Sequence, residues 1–262
     1  MRQRKKPVRI NIEKADLSAL LNYLGLRITA AMSDKLLAEA VKNSWSHLKF
    51  LEMLAEREAA AKQERSMAAR VAQAGFPLQK TIEAFDFAFP RKIPTDKILG
   101  AMSLKFIDAC EGFIFLGDPG TGKTHLAIAI AYAACMAGYR VKFASAIDMI
   151  NDLQTVPPGQ SLRKMLDDYR RPELLIIDEV GYLPFDERGG NLFFQVISAR
   201  HGTGATILTT NLPFAQWPRI FGNNNTVTTA IVDRLSQYTD LIQIEGDSYR
   251  PHKRGRSKDK TV

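Results

Sequence analysis

Two cysteines in 262 residues, Cys110 and Cys135, leave no material for a disulfide framework, and they form no CxxC or Cys/His spacing that would bind zinc. A reduced, cytoplasmic protein is the expectation. No apolar run approaches the roughly 18–20 residues that cross a bilayer. The basic start, Met1-Arg-Gln-Arg-Lys-Lys6, has no apolar stretch behind it, so the reading includes neither a membrane partner nor a secretory leader. Internal repeats, zinc-finger spacing and RNP sequences are also missing, which argues against base-specific recognition. What remains is ordinary: 45% hydrophobic and 24% charged residues with 12 prolines describe a globular chain, long enough for one large domain or one domain with a small companion.

The net charge of +8 is unevenly placed, with +7 in residues 1–80, −4 in 81–249 and +5 in 250–262. Basic ends around an acidic centre suggest that the ends meet a polyanion, nucleic acid first, with Arg2, Arg4, Lys5, Lys6 and Arg9 as candidate phosphate contacts; solvated tails are the equal alternative. The organisation expected is a basic arm over 1–12, a helical N-terminal domain over 13–76, a linker and first helix region over 77–111, an α/β domain over 112–250 and a basic tail over 251–262. Ser33 is read as an N-cap, opening a helical face of Leu37, Val41, Trp45, Leu48 and Leu51. Residues 81–94 alternate Phe85, Phe87 and Phe89 before Pro90 and Pro94 and are read as extended chain against the next domain. From Gly112 short apolar runs (113–116, 141–144, 174–177, 206–209, 241–244) alternate with helical stretches (124–137, 146–153, 190–200, 229–236), the pattern of a five-stranded parallel sheet covered by helices.

The strongest motif is Gly117-Asp118-Pro119-Gly120-Thr121-Gly122-Lys123-Thr124, a GxxxxGK[ST] loop after an expected strand and before an expected helix. Glycines let consecutive N–H groups face a phosphate chain and the helix start adds partial positive charge, so these residues with His125 are read as the ATP-binding loop. Lys123 is expected on the β- and γ-phosphates and Thr124 on Mg²⁺. The apolar run Leu174–Ile177 ends in Asp178-Glu179: Asp178 is expected to hold Mg²⁺ through water, and Glu179 to activate the lytic water. Thr209-Thr210-Asn211 ends the next run, where the Asn211 amide can meet the γ-phosphate or simply begin a turn. Arg234 and Arg250 are candidate catalytic arginines, although each reads locally as a surface residue.

Together, residues 117–127, 177–185, 209–214, 230–235 and 246–250 resemble the IstB-like transposition helper ATPases, relatives of the DnaC helicase loader in the AAA+ class. The resemblance covers most of residues 15–250 and implies an AAA+ P-loop fold behind an all-helical N-terminal domain that binds DNA or a partner and makes oligomer contacts. It implies Asn211 as sensor 1, Arg234 as an arginine finger given to a neighbouring subunit and Arg250 as sensor 2. It further implies an ATP-dependent ring or helical oligomer on duplex DNA that delivers its target to a transposase. In such proteins the segment here at 146–171 faces the channel, making Lys142, Arg163 and Lys164 candidate phosphate contacts. A helicase loader and a nucleotide-gated DNA scaffold with negligible hydrolysis remain open as alternatives. Gly189-Gly190-Asn191 and Gly222-Asn-Asn-Asn225 depart from the family pattern.

Overall fold

The computed structural model describes residues 11–12 and 15–249; the expectations for Arg2, Arg4, Lys5, Lys6, Arg9, Arg250 and the tail at 251–262 lie outside them. The chain divides into two compact units, one ending at Ala68 and one beginning at Ala69. The first contains α1 (Leu17–Tyr23), α2 (Arg27–Lys42) and most of α3 (His47–Ala74). Asp16 caps α1 by accepting from the Ala19 amide at 2.7 Å. Ser33 is not a cap but lies inside α2, and the chain breaks at 43–46, where Ser44 takes a positive φ of 50° and Ser46 Oγ accepts from the Lys49 amide. The apolar series therefore runs across two helices, and Leu37, Val41, Leu48 and Leu51 are exposed while Leu36 is buried. Polar contacts help to join α2 to α3: Arg57 donates to Glu39 at 3.0 Å, and buried Glu58 accepts from the Thr29 amide at 2.7 Å, placing a carboxylate on the first turn of α2.

The second unit takes in the end of α3, whose Val71 and Ala74 pack into its core. Then follow α4 (Thr95–Ala101), α5 (Lys105–Asp108), β1 (Gly112–Gly117), α6 (Lys123–Ala137), β2 (Val141–Ser145), α7 (Ala146–Gln154), α8 (Leu162–Arg170), β3 (Leu174–Val180), α9 (Glu187–Arg200), β4 (Ala205–Thr210), a 3₁₀ turn (Phe214–Arg219), α10 (Asn225–Tyr238) and β5 (Thr239–Ile244). All strand pairs are parallel, in the order β2-β3-β4-β1-β5. Helices cover both faces, which is why β3 begins as an unbroken run of four fully buried aliphatics, Leu174 to Ile177. The order also inserts β4 between β1 and β3, so the strand ending at Thr210 separates the one leading to the glycine loop from the one bearing Asp178.

The linker differs from expectation, and the helix expected over 146–153 is followed by a second one. Residues 81–94 are a chain of turns rather than an extended run, with Phe85 N–H bonded to Ile82 O and Phe89 N–H to Asp86 O; Phe85 and Phe87 still pack on the core. The segment at 146–171 is two helices, because Pro157-Pro158 supply no amide donors and Gly159 adopts φ +80°.

The departures at the glycines have packing reasons. A Cβ on Gly189 would stand 2.9 Å from Asp186 Oδ1, 3.0 Å from Ile150 Cγ2 and 3.1 Å from Phe185 Cβ, so this glycine lets α9 close on α7. A Cβ on Gly190 would meet Phe221 at an ordinary 3.5 Å. Gly189→Ala is accordingly expected to destabilise the protein by about 1 kcal/mol, overpacking outweighing the gain in helix propensity. Gly190→Ala, which gains propensity without the clash, should stabilise by about 0.5 kcal/mol; urea denaturation of the pair reads the opposite signs. Gly222 and Asn223 take successive positive φ values, 62° and 59°, and Asn224 caps α10 by accepting from Val227 N–H, so the polar loop is a fixed turn into the helix.

Candidate nucleotide site

The glycine loop connects β1 to α6, which is buried nearly all round, Leu126 to Ala131 being inaccessible, so the helix start is held in place by the core. Gly120 and Gly122 adopt φ +86° and +96°, the left-handed conformations that the loop requires of glycine. The Lys123 ammonium donates to the carbonyls of Gly117 at 2.7 Å and Asp118 at 2.8 Å, and Thr121 Oγ1 donates to Asp118 O at 2.9 Å.

Asp178 meets the loop through its side chain. Its Oδ1 accepts from Thr124 Oγ1 at 2.8 Å and from Thr209 Oγ1 at 2.6 Å, with only 6% of the residue exposed. Glu179, next in sequence, is exposed and has a positive φ of 59°, and the β3–β4 register shifts between Ile177 and Val180. A non-glycine residue in this region costs about 1–3 kcal/mol and persists only where its surroundings hold it. Here the Glu179 amide donates to Thr209 Oγ1 at 2.9 Å. The bulge thus turns two adjacent carboxylates to different environments, one buried and one open to water.

Two segments distant in sequence wall the loop. A Cβ on Gly122 would lie 2.5 Å from the Phe85 ring, and one on Gly120 would overlap Ser248, beside which Tyr249 N–H donates to Gly120 O at 3.0 Å. Phe89 and Tyr249 meet edge to face at 4.8 Å, and Lys92 pairs with Glu245 through two backbone bonds. Between the walls lies a pocket lined by Phe85, Asp86, Phe89, Thr121, His125 and Tyr249. His125 Nε2 donates to Thr81 O at 2.9 Å, so this residue, expected on the nucleotide, also braces the wall.

A five-stranded parallel sheet with a glycine loop after β1 and an acidic pair near the end of β3 defines the architecture, and the comparisons with known proteins agree. The model for IstB-like ATP binding proteins matches residues 19–257. The chain belongs to this family. An insertion sequence IS21 ATP-binding protein of Pseudomonas aeruginosa is 36% identical over 235 residues, covering 90% of this chain and 88% of the relative. One from insertion sequence IS5376 of Geobacillus stearothermophilus is 38% identical over 205 residues, covering 78% and 81%. Among solved structures, the DnaC helicase loader superposes with a TM-score of 0.52 at 22% identity, covering 63% of this chain and 96% of its own. The replication initiator DnaA bound to AMPPCP and single-stranded DNA gives 0.54 at 21%, covering 68% and 54%; both likenesses are of fold.

The remaining predicted residues are dispersed. Asn211 is exposed just beyond β4. Arg234 is half-buried on α10, its Nη1 donating to Ala230 O at 3.0 Å and its guanidinium lying 4.6 Å over the Phe194 ring. Lys142, on edge strand β2, lies 3.9 Å over the Tyr169 ring, and burial pulls its ammonium below the ordinary lysine range against Asp168 and Asp152, which raise it. Arg163 and Lys164 are exposed in the first turn of α8, and Asp167 is occupied by Arg170 and Arg171. The sequence reading singled out the 209–211 segment for Asn211 and passed over Thr209. A threonine ending a buried strand was the available signal. Phe85, Phe89 and Tyr249 as walls could be read only from the fold. No helix among the described residues is long and apolar enough to cross a membrane.

Proposed function

We propose that this IstB-like protein is an ATPase that assembles with copies of itself on duplex DNA and presents that DNA to a transposase from the same insertion sequence. The observation that carries the reading is the convergence of Thr124 and Thr209 on buried Asp178 while Glu179 stands exposed beside it. Thr124 and Asp178 offer the hard oxygen donors that Mg²⁺ prefers, and the ion when bound would offset the charge of the phosphates. The loop amides and Lys123 bind the phosphate chain, and the pocket lined by Phe85, Phe89 and Tyr249 receives the base. Glu179 takes a proton from the attacking water as the bond from the γ-phosphorus to the bridging oxygen breaks, giving ADP and phosphate.

Arg234 is assigned to the site of a neighbouring subunit, and Asn211 to the γ-phosphate or the lytic water of its own. On the DNA side, exposed Arg163 and Lys164 are the described candidates for phosphate contact. The relatives' names, which attach ATP-binding proteins to insertion sequences, support a transposase as the partner.

The test is the mass of the protein on a short duplex and on a matched single strand, each with and without ATP and Mg²⁺. A multi-subunit complex on duplex that requires ATP is expected, weakening with salt as counterions are released. Lys123→Ala should abolish the ATP-dependent complex. Assembly on single strands alone overturns the duplex reading, and persistence of the ATP-dependent complex in Lys123→Ala overturns the site.

A further inference from the structure

We infer that Thr209 is a positioning residue for hydrolysis, one hydroxyl that sets both members of the acidic pair; this rests on the reading of the site as an ATPase. The hydroxyl is committed in both senses. Its proton goes to Asp178 Oδ1 at 2.6 Å and its oxygen receives the Glu179 amide at 2.9 Å. The residue is 1% exposed, so water does not readily replace either bond.

The strand order makes this role available to β4, which alone of the two neighbours of β3 also borders β1. Because β4 is hydrogen-bonded to β3 on one side and β1 on the other, a side chain at its C-terminal end reaches the acidic pair next to the phosphate loop. The same strand leads within two residues to Asn211. The next residue, Thr210, bonds instead within its own turn, its hydroxyl accepting from Leu212 N–H at 3.1 Å, so the function belongs to one threonine of the pair.

The chemical consequence follows from the bulge. Glu179 keeps a backbone conformation that an L-residue rarely adopts, and the bond from its amide to Thr209 holds it there. Without that acceptor the peptide can relax toward regular strand geometry, which swings the carboxylate relative to the phosphate loop. A general base works only within hydrogen-bond reach of the proton that it removes. Loss of the hydroxyl should therefore reduce turnover far more than nucleotide affinity, because the loop that binds phosphate is built from β1 and α6.

The experiment compares full-length wild type, Thr209→Val and Thr209→Ser. Valine keeps the shape and deletes the hydroxyl; serine retains it. Hydrogen exchange without nucleotide, read on the peptide spanning Ile177–Tyr182, should be at least about tenfold faster at the Glu179 amide in Thr209→Val, with β1 and β5 peptides unchanged and Thr209→Ser close to wild type. ATP turnover on DNA should fall at least about tenfold in kcat for Thr209→Val with KM within about threefold, and Thr209→Ser should recover it. Wild-type exchange at Glu179 in Thr209→Val overturns the inference, and so does faster exchange spread over every strand, which would mark a purely structural threonine. Wild-type turnover in Thr209→Val also overturns it. If the wild type itself hydrolyses no ATP, the ATPase reading falls, while the exchange result still decides whether Thr209 holds Glu179.

Discussion

With Glu179 replaced by glutamine, the protein is expected to bind ATP about as tightly as wild type and to hydrolyse it at least about 100-fold more slowly, the usual contribution of a positioned general base. In the proposed reading the two functions fall to different residues. Binding is assigned to the loop between β1 and α6 and to Lys123, and the hydrolytic step to the exposed Glu179, whereas Asp178 is buried against Thr124. Glutamine preserves size and the backbone bond to Thr209 while removing the proton acceptor. Nucleotide affinity measured by fluorescence and phosphate release measured in parallel read the split. The same variant should lengthen the lifetime of the ATP-dependent complex on duplex DNA. Unchanged phosphate release would remove Glu179 from the mechanism, and loss of hydrolysis with unchanged complex lifetime would favour a scaffold whose disassembly does not depend on turnover.

The second large effect concerns stability. Arg200, the last residue of α9, is 2% exposed and has no carboxylate partner among the described residues; its donors go to the carbonyls of Tyr169, Arg170, Pro172, Glu173 and Ala205 and to Thr206 Oγ1. Two of those carbonyls end α8, where a helix leaves acceptors unsatisfied and favours a cation. Burial pushes the guanidinium pKa down to about 10, which leaves it protonated at neutral pH. A Cβ on Gly204 would stand 2.7 Å from Nη2, so the turn after α9 is shaped around this side chain. Arg200→Met should cost about 3 kcal/mol, because several buried acceptors lose their donor together. For a unit of this size that is a fall in Tm of roughly 6–12 °C. Arg200→Lys should recover little, since three donors on one nitrogen cannot span the planar fork that reaches both α8 and β4. A Tm within about 2 °C of wild type for Arg200→Met would contradict this account.

The α/β unit was legible because its signals are local. A glycine loop must sit between strand and helix to present its amides, and aliphatic runs of four to six residues mark strands buried on both faces. The observed strands match the expected ones to within three residues at their ends. The N-terminal helices were read less well, because the spacing of Leu37, Val41, Trp45, Leu48 and Leu51 is helical in phase but crosses the break at 43–46, beyond which phase carries no information. Alternating phenylalanines in the linker suggested extension, yet two turns deliver Phe85 to the core equally well. Asp178 and Glu179 were recognisable from their place at the end of an aliphatic run, but the third member of their arrangement was not. Thr209 lies 31 positions away from Asp178 and reaches it only because β4 is inserted beside β3, an adjacency that no local pattern states.

The walls of the phosphate loop redefine how much of the chain counts as the nucleotide-binding body. A protein trimmed to Gly112–Ile244 would retain every strand together with Lys123, Asp178, Glu179 and Thr209. It would also strip Phe85 from Gly122 and Ser248 and Tyr249 from Gly120, leaving the loop open to solvent on two sides. The smallest segment able to hold ATP firmly is therefore expected to include the stretches that enclose the glycines, from Phe85, about thirty residues upstream of the first strand, to Tyr249, past the last one.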